Sequence, residues 1–351
     1  MIAFILLIVI LGVLIFVHEA GHFIAAKKAG AYVYEFSLGM GPKLFGWNRK
    51  GDETDYSIRA FPIGGYCAIA GEISEDDGFD KKLKKDQYMC NKTITQRCII
   101  LIAGVCMNFI TGFLLLFLSA LIWGSADQSP VVGRVEKGYP VAKAGIEVGD
   151  KILKIDNKKV SSWDLVILRL NLKTKENTHT FEVEKATGDT KTYTVKPKTV
   201  KEKDGSERIV YGIGQDVTRK RGIISSLSYA ITKTDAIIKS MWLIVGNLFI
   251  GKLSLSSLSG PVGVYTIVGQ AAKTSVESVI YLAAYLSINL GFINILPFPA
   301  FDGGHVLFLI IEGIRKKKMN PKVEGIINAI GFTLIMILML VITVKDILNL
   351  L

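Results

Sequence analysis

Residues 14–24 read Leu-Ile-Phe-Val-His18-Glu19-Ala-Gly-His22-Phe-Ile. Two of the chain's four histidines and a glutamate fall within five positions, after an apolar run whose first 17 residues carry no charged side chain. A helix brings positions i and i+4 onto one face, so His18 and His22 can offer two imidazole nitrogens to one ion. Glu19, one position on, can reach water at that ion and take its proton. This HExxH spacing is a zinc-protease signature of moderate specificity. Its setting sharpens it. A carboxylate in a helix of Ile, Leu, Val and Phe is costly to bury, and ionisable groups kept in such places are functional by default.

The rest of the chain places that helix in a membrane. Half of the 351 residues are hydrophobic, and they cluster. The runs 1–26, 98–126, 278–300 and 325–344 each approach the roughly 20 residues needed to cross a bilayer. The first lacks a basic n-region and stays apolar past any cleavage point, so it is expected to be a retained span and not a signal peptide. The expected fold is a polytopic α-helical membrane protein with about four transmembrane helices, a membrane-associated β-hairpin or sheet, and one inserted α+β domain. Its parts are an N-terminal membrane core (1–126), the insert (127–216), an amphipathic interfacial segment (217–277) and a C-terminal membrane core (278–351). Arg315, Lys316, Lys317, Lys318 and Lys322 lie in the short loop between the third and fourth runs, which puts that loop in the cytoplasm. The insert and both termini then face outward, and His18 and His22 lie near the cytoplasmic side. The net charge of +11 is spread over loops, which suits a lipid bilayer and not nucleic acid. Four cysteines without CxxC spacing give no disulfide framework.

Between the first two spans, the stretch from Tyr56 to Gly71 has strand-like composition, with Gly64-Gly65 as a turn or bulge. It predicts a small apolar sheet at the membrane surface beside the motif. Such a sheet would either offer an edge to an extended peptide or only cover the bundle. Residues 75–86 read as a solvated loop. Asn108, polar within the second span, is expected to face the bundle interior; its part in the site stays open.

The insert alternates short strands with a helix over 162–172 and a hairpin about Thr187-Gly188-Asp189. The run Ala144-Gly-Ile-Glu-Val-Gly-Asp-Lys-Ile-Leu-Lys-Ile-Asp156 resembles the core of a PDZ domain in the strand order of bacterial proteases. That resemblance implies peptide binding by β-addition, with Val131, Val132 and Gly133 in the accepting position. His179 has no visible partner and reads as a surface residue. Residues 219–239 look amphipathic, 240–251 apolar but too short to span, and the Ser259-Gly-Pro-Val-Gly263 breaker segment needs a buried or cavity-lining backbone.

The third span ends Asn294-Ile-Leu-Pro297-Phe-Pro299-Ala-Phe-Asp302-Gly-Gly-His305. The prolines free backbone groups, and Asp302 is an ionisable residue at the membrane boundary. A catalytic zinc takes three protein ligands and keeps one open position. His18 and His22 supply two and Asp302 the third, with His305 as the alternative.

Together these motifs resemble the site-2 protease family of intramembrane zinc metalloproteases, in its bacterial regulator-of-sigma-E-protease type with a single PDZ domain. The resemblance rests on HExxH in the first span, NxxPxxxxDG from Asn294 to Gly303, the insert, and Ser259-Gly-Pro-Val-Gly263. It implies one Zn²⁺ held by His18, His22 and Asp302, with Glu19 as general base. It further implies that Asn294 holds substrate, and we place Gly64, Gly65 and Pro297 with it. The implied substrates are single-span membrane proteins already trimmed by a site-1 protease, such as anti-sigma factors or signal-peptide remnants, in the plasma membrane of a bacterium. Two other readings stay open: a non-enzymatic PDZ scaffold with a structural zinc, and a metalloprotease acting on peptides at the membrane surface.

Overall fold

The chain begins with α1 (Ile2–Lys28), folds back as strands β1 (Val33–Asn48) and β2 (Asp55–Ile69), and enters α2 (Ile94–Trp123). An inserted region follows: β3 (Ser125–Ala126), β4 (Val132–Val135), α3 (Pro140–Ala144), β5 (Lys151–Ile155), β6 (Lys158–Lys159), α4 (Trp163–Leu170), β7 (His179–Glu184), β8 (Thr190–Val195), β9 (Lys198–Lys201), β10 (Glu207–Val210), β11 (Ile213–Gln215), β12 (Arg219–Lys220) and α5 (Ile223–Phe249). The chain returns as α6 (Pro261–Thr274), α7 (Val276–Ile295), α8 (Asp302–Arg315) and α9 (Pro321–Leu348). This computed structural model describes residues 2–73, 83–172, 178–201, 207–251 and 259–348. Most of the stretch 75–86, expected to be a solvated loop, lies outside them. Among the described residues α1, α2, α7 and α9 are long and apolar enough to cross a bilayer, within a few residues of the four expected spans. The chain is a polytopic helical membrane protein with an inserted β-rich region. It divides into two compact units, Met1–Leu115 with Leu258–Leu351, and Leu116–Ser257.

In the first unit, glycines set how closely elements approach α1. A Cβ on Gly12 would stand 2.8 Å from the Pro62 carbonyl oxygen, and one on Gly21 would collide with the backbone of Ala103 and Gly104 in α2. Small residues let helix backbones come close where lipid gives no hydrophobic drive for association. Strands β1 and β2 pair with each other twice over. Residues 33–38 lie between 65–69 on one side and 55–58 on the other, while 43–48 pair with 55–59. The run 65–69 is thus an outer run of the sheet. Gly64, at φ +92°, makes the bend before it, a conformation costly for any residue with a Cβ. Leu44, Phe45 and Phe61 are 60–69% exposed, as suits a sheet against lipid.

The two middle runs of this sheet are tied by Glu35, which accepts from Nε and Nη2 of Arg59 and from the hydroxyls of Ser57 and Tyr66. Burial favours the neutral carboxyl, but these donors outweigh it and hold the Glu35 pKa below 4.5.

Two further contacts fix the C-terminal helices. Arg97 at the start of α2 pairs with Glu312 near the end of α8 at 2.9 Å, both nearly buried. At the other end of the bundle, Asp346 of α9 accepts from the backbone N–H of Gly260 and of Gly263, each at 2.8 Å. The breaker segment before α6 therefore finds the buried backbone partner it requires, and Pro261 begins a helix that its sequence did not announce.

In the inserted unit, a four-stranded sheet of order β6-β5-β7-β8 packs with α3 and α4 around Val141, Ile146, Ile152, Ile155, Val166 and Phe181. The expected hairpin is β7–β8, turning at Gly188 with φ +90°. Three expectations need correction. Val131, Val132 and Gly133 do not present an accepting edge. Val131 bridges to Lys151, Val132 N–H donates to Asp150, and β4 pairs along its other side with β11. A register set by a strand some 80 residues later leaves no trace in the local pattern. His179 is not a surface residue: it is 2% exposed, with Nδ1 2.6 Å from Asp156 and its ring against Tyr211. Finally, 219–251 is not an amphipathic piece plus a short apolar one. Arg219 and Lys220 pair with β3, and α5 is one 27-residue helix. It buries Ser226, Ala230 and Ala236 and leaves Ile223, Ile224 and Leu227 outward, while Lys233 pairs with Asp164 of α4 at 2.7 Å. It belongs with the insert, which is longer than 127–216.

Glu35→Gln is expected to loosen the sheet by about 1–3 kcal/mol, seen as faster hydrogen exchange at residues 55–59. Because the folded pKa of Glu35 lies below its unfolded value, its contribution is complete at neutral pH. It disappears as pH falls through the folded value, and wild type and Glu35→Gln should converge there.

Candidate metal centre

The two imidazoles of α1 turn their Nε2 atoms toward each other at 3.1 Å, with the rings close to perpendicular. Asp302 Oδ2 stands 3.2 Å from His18 Nε2 and 3.5 Å from His22 Nε2. These residues form the one group of three or more potential metal donors among the described residues. The carboxylate oxygen arrives through a break in the membrane core. Helix α7 stops at Ile295, the segment through Pro297 and Pro299 turns back on itself with Ala300 at φ +75°, and α8 starts at Asp302. Gly303 and Gly304 sit against the carbonyls of Ile295, Leu296 and Phe298 where a Cβ would clash, and Gly331 of α9 makes room for Pro299.

The chemistry of this donor set fits zinc. Nitrogen and oxygen ligands at about 2.0–2.1 Å in a tetrahedron lie roughly 3.3–3.4 Å from one another. The three separations of 3.1, 3.2 and 3.5 Å scatter about that value. Among the described residues Asp302 Oδ2 is buried without a hydrogen-bond partner, and a cation at the centre of the triangle would give it one of opposite charge.

The imidazoles are held from behind. His22 Nδ1 lies 2.8 Å from the Ile100 carbonyl, which can only accept, so Nδ1 carries the proton and Nε2 is left with a lone pair. His18 Nδ1 faces the side-chain amide of Asn108 at 3.0 Å. Asn108 is fully buried, and its own backbone carbonyl accepts from Ser287 of α7 at 2.8 Å. As placed, the NH₂ group faces His18 while Asn108 Oδ1 is left without a partner. Amide orientation is an assignment that the hydrogen bonds decide. Rotating the amide by half a turn lets the oxygen accept from Nδ1–H, and again frees Nε2 for a metal. Gly104 lies one turn before Asn108 on α2, and a Cβ there would collide with both imidazoles.

Of the other expected residues, Asn294 reaches the centre, with Nδ2 3.4 Å from His18 Nε2. Gly65 is brought to Glu19: a Cβ on Gly65 would lie 3.9 Å from Glu19 Cγ. Among the described residues no hydrogen bond engages the Glu19 carboxylate, which leaves it available. Gly64 makes the bend before Gly65, and Pro297 lines a cleft that Asp302 also lines. His305 is turned away onto α9, 3.2 Å from Glu324 and 3.4 Å from Asn328, so it is not the third donor. Sequence reading left Asn108 open and passed over Ile100 and Gly104 as site residues. The four-residue step from Gly104 to Asn108, one face of a helix, was the available signal.

A bundle of spanning helices with a buried His-His-carboxylate centre and a free carboxylate beside it defines a membrane-embedded metallohydrolase. The chain belongs to peptidase family M50, whose sequence model matches residues 6–338. It is 30% identical over 416 residues to the regulator of sigma-W protease RasP of Bacillus subtilis, and 33% over 414 residues to the zinc metalloprotease RasP of Bacillus licheniformis. Each match covers 97% of both chains. A Clostridium acetobutylicum protein named as a zinc metalloprotease is 37% identical over 336 residues, covering 96% of this chain and 94% of the relative. The protein is a multi-pass membrane zinc metalloprotease that acts within the membrane.

Replacing Asn108 by Leu removes the support behind His18. The purified protein should release zinc to a competing chelator with roughly 10–100-fold weaker affinity, while Asn108→Gln should lose less.

Proposed function

We propose that His18, His22 and Asp302 hold a single catalytic zinc and that Glu19 is the general base of peptide-bond hydrolysis. The observation that carries this is the meeting of three donor atoms from α1 and α8 beside a carboxylate that, among the described residues, no hydrogen bond ties down. Zinc bound there supplies Lewis acidity toward water and the scissile carbonyl. Glu19 takes the proton from the attacking water and returns it to the leaving amine. Asn294, 3.4 Å from His18, has an amide donor at the centre and is suited to hold the substrate's backbone there. A structural zinc would need a fourth protein ligand to close the site; among the described residues the donor group has three, which favours catalysis over a scaffold.

A peptide bond inside a helix is shielded by the turns around it, so the substrate must be held extended. Among the described residues the outer run 65–69 pairs on one side only, with Gly65 next to Glu19. A strand added there by β-augmentation would carry its backbone past the base. The substrates we propose are single-span membrane proteins already shortened outside the membrane by a site-1 protease. The name of the B. subtilis relative points to regulators of sigma factors as one such class. The inserted unit, a PDZ-like domain by its sequence, would act on the extracytoplasmic side, with the active site toward the cytoplasm as the basic stretch 315–322 directs. In reconstituted vesicles, Glu19→Gln should retain one zinc per chain and lose cleavage of a trimmed single-span substrate by at least about 10²-fold. Sustained cleavage by that variant would refute the role of Glu19.

A further inference from the structure

A cleft of about 220 Å³ opens beside the metal centre. Its walls are Ile102 and Val105 of α2, Ile295 and Pro297 at the end of α7, and Leu307 and Ile310 of α8. Ile295, Leu307 and Ile310 are 36–51% exposed and form its mouth, while Val105 is 1% exposed and forms the inner wall. The one ionisable residue in its lining is Asp302, which also supplies a donor atom to the His18–His22–Asp302 triangle. The cleft therefore borders the residue that carries the third donor atom.

Size and lining restrict what can enter. A dry apolar cavity of about 150 Å³ already admits benzene, whereas pockets for drug-sized ligands and cofactors run from about 300 Å³ upward. About 220 Å³ suits one large aliphatic or aromatic side chain and no whole cofactor. The walls offer no hydroxyl, amide or basic group, so a polar side chain would lose its hydration without compensation. A substrate backbone held across Asp302 and Glu19 would point the side chain next to the scissile bond into this space.

We infer that this cleft is a specificity subsite that selects a large apolar side chain, of Leu or Phe size, at a residue flanking the cleaved bond. The inference rests on the proteolytic reading of the His18–His22–Asp302 centre. It explains why the break after α7 is lined by Ile295 and Pro297 and not by polar residues, although it borders a hydrolytic site. It also gives α8 two tasks, since the helix that delivers Asp302 at its first turn delivers Leu307 and Ile310 to the subsite in the next two.

The test uses full-length protein in vesicles with a set of single-span substrates that differ only at the residues flanking the cleaved bond, carrying Ala, Leu, Phe or Trp there. Wild type should prefer Leu or Phe over Ala by at least about tenfold in kcat/KM. Leu307→Trp, which fills the cleft from its mouth, should erase that preference, and Ile102→Ala, which deepens it, should move the optimum toward Phe and Trp. Zinc content should be unchanged in both variants. A photoreactive phenylalanine at the flanking position should crosslink to α8 residues in the Glu19→Gln protein, a readout that needs no turnover. No discrimination by wild type, or wild-type ratios kept by both variants, overturns the proposal; a cleft that holds only a lipid tail gives that second result. Cleavage that persists in Glu19→Gln or with zinc removed refutes the assignment of catalysis to the His18–His22–Asp302 centre and Glu19 instead.

Discussion

Three donor atoms must stand within a few ångströms of one another in a place where water is scarce, and one of them is a carboxylate. Most of the first unit can be understood from that demand. Two imidazoles four residues apart on α1 meet it cheaply, since helix geometry aligns them. The carboxylate cannot come from the same helix face. It comes from α8, and α8 can begin there because α7 is broken at Pro297 and Pro299. The freed backbone groups are re-satisfied by a tight turn against Gly303 and Gly304, as irregular backbone at membrane depth requires.

Close packing without hydrophobic drive then decides which residues can stand around the centre. Gly21 and Gly104 allow α1 and α2 to approach until the imidazoles lie against bare backbone. The same approach brings Ile100 and Asn108 to the outward nitrogens of His22 and His18. The Arg97–Glu312 pair holds the far end of α8 to the first turn of α2. Breaking such a pair leaves an uncompensated charge and costs several kcal/mol, so it restrains the helix that carries Asp302.

Much of this was legible in the sequence because the signals are local. His18, Glu19 and His22 share one helical turn, the four spans are composition, and Asp302 is an ionisable residue after two prolines. What was not legible depends on partners far along the chain. The pairing of β4 with β11 removed the expected accepting edge at Val131–Gly133. Asp156 converts His179 from an apparent surface residue into a buried one, and Asp346 allows the glycines before α6 to start a helix. Asn108 stands between these cases. Its polarity within a span marked it as inward-facing, but only the crossing of α1 and α2 shows that it faces His18.

The central claim is that one zinc site is divided between α1 and α8. Zinc content and zinc K-edge absorption of the purified, lipid-embedded protein test it most directly. The account predicts one zinc per chain with two imidazole nitrogens and a carboxylate oxygen, and loss of both the oxygen ligand and tight binding in Asp302→Ala with the fold retained. An Asp302→Ala protein that keeps wild-type zinc affinity and an unchanged absorption spectrum would contradict it.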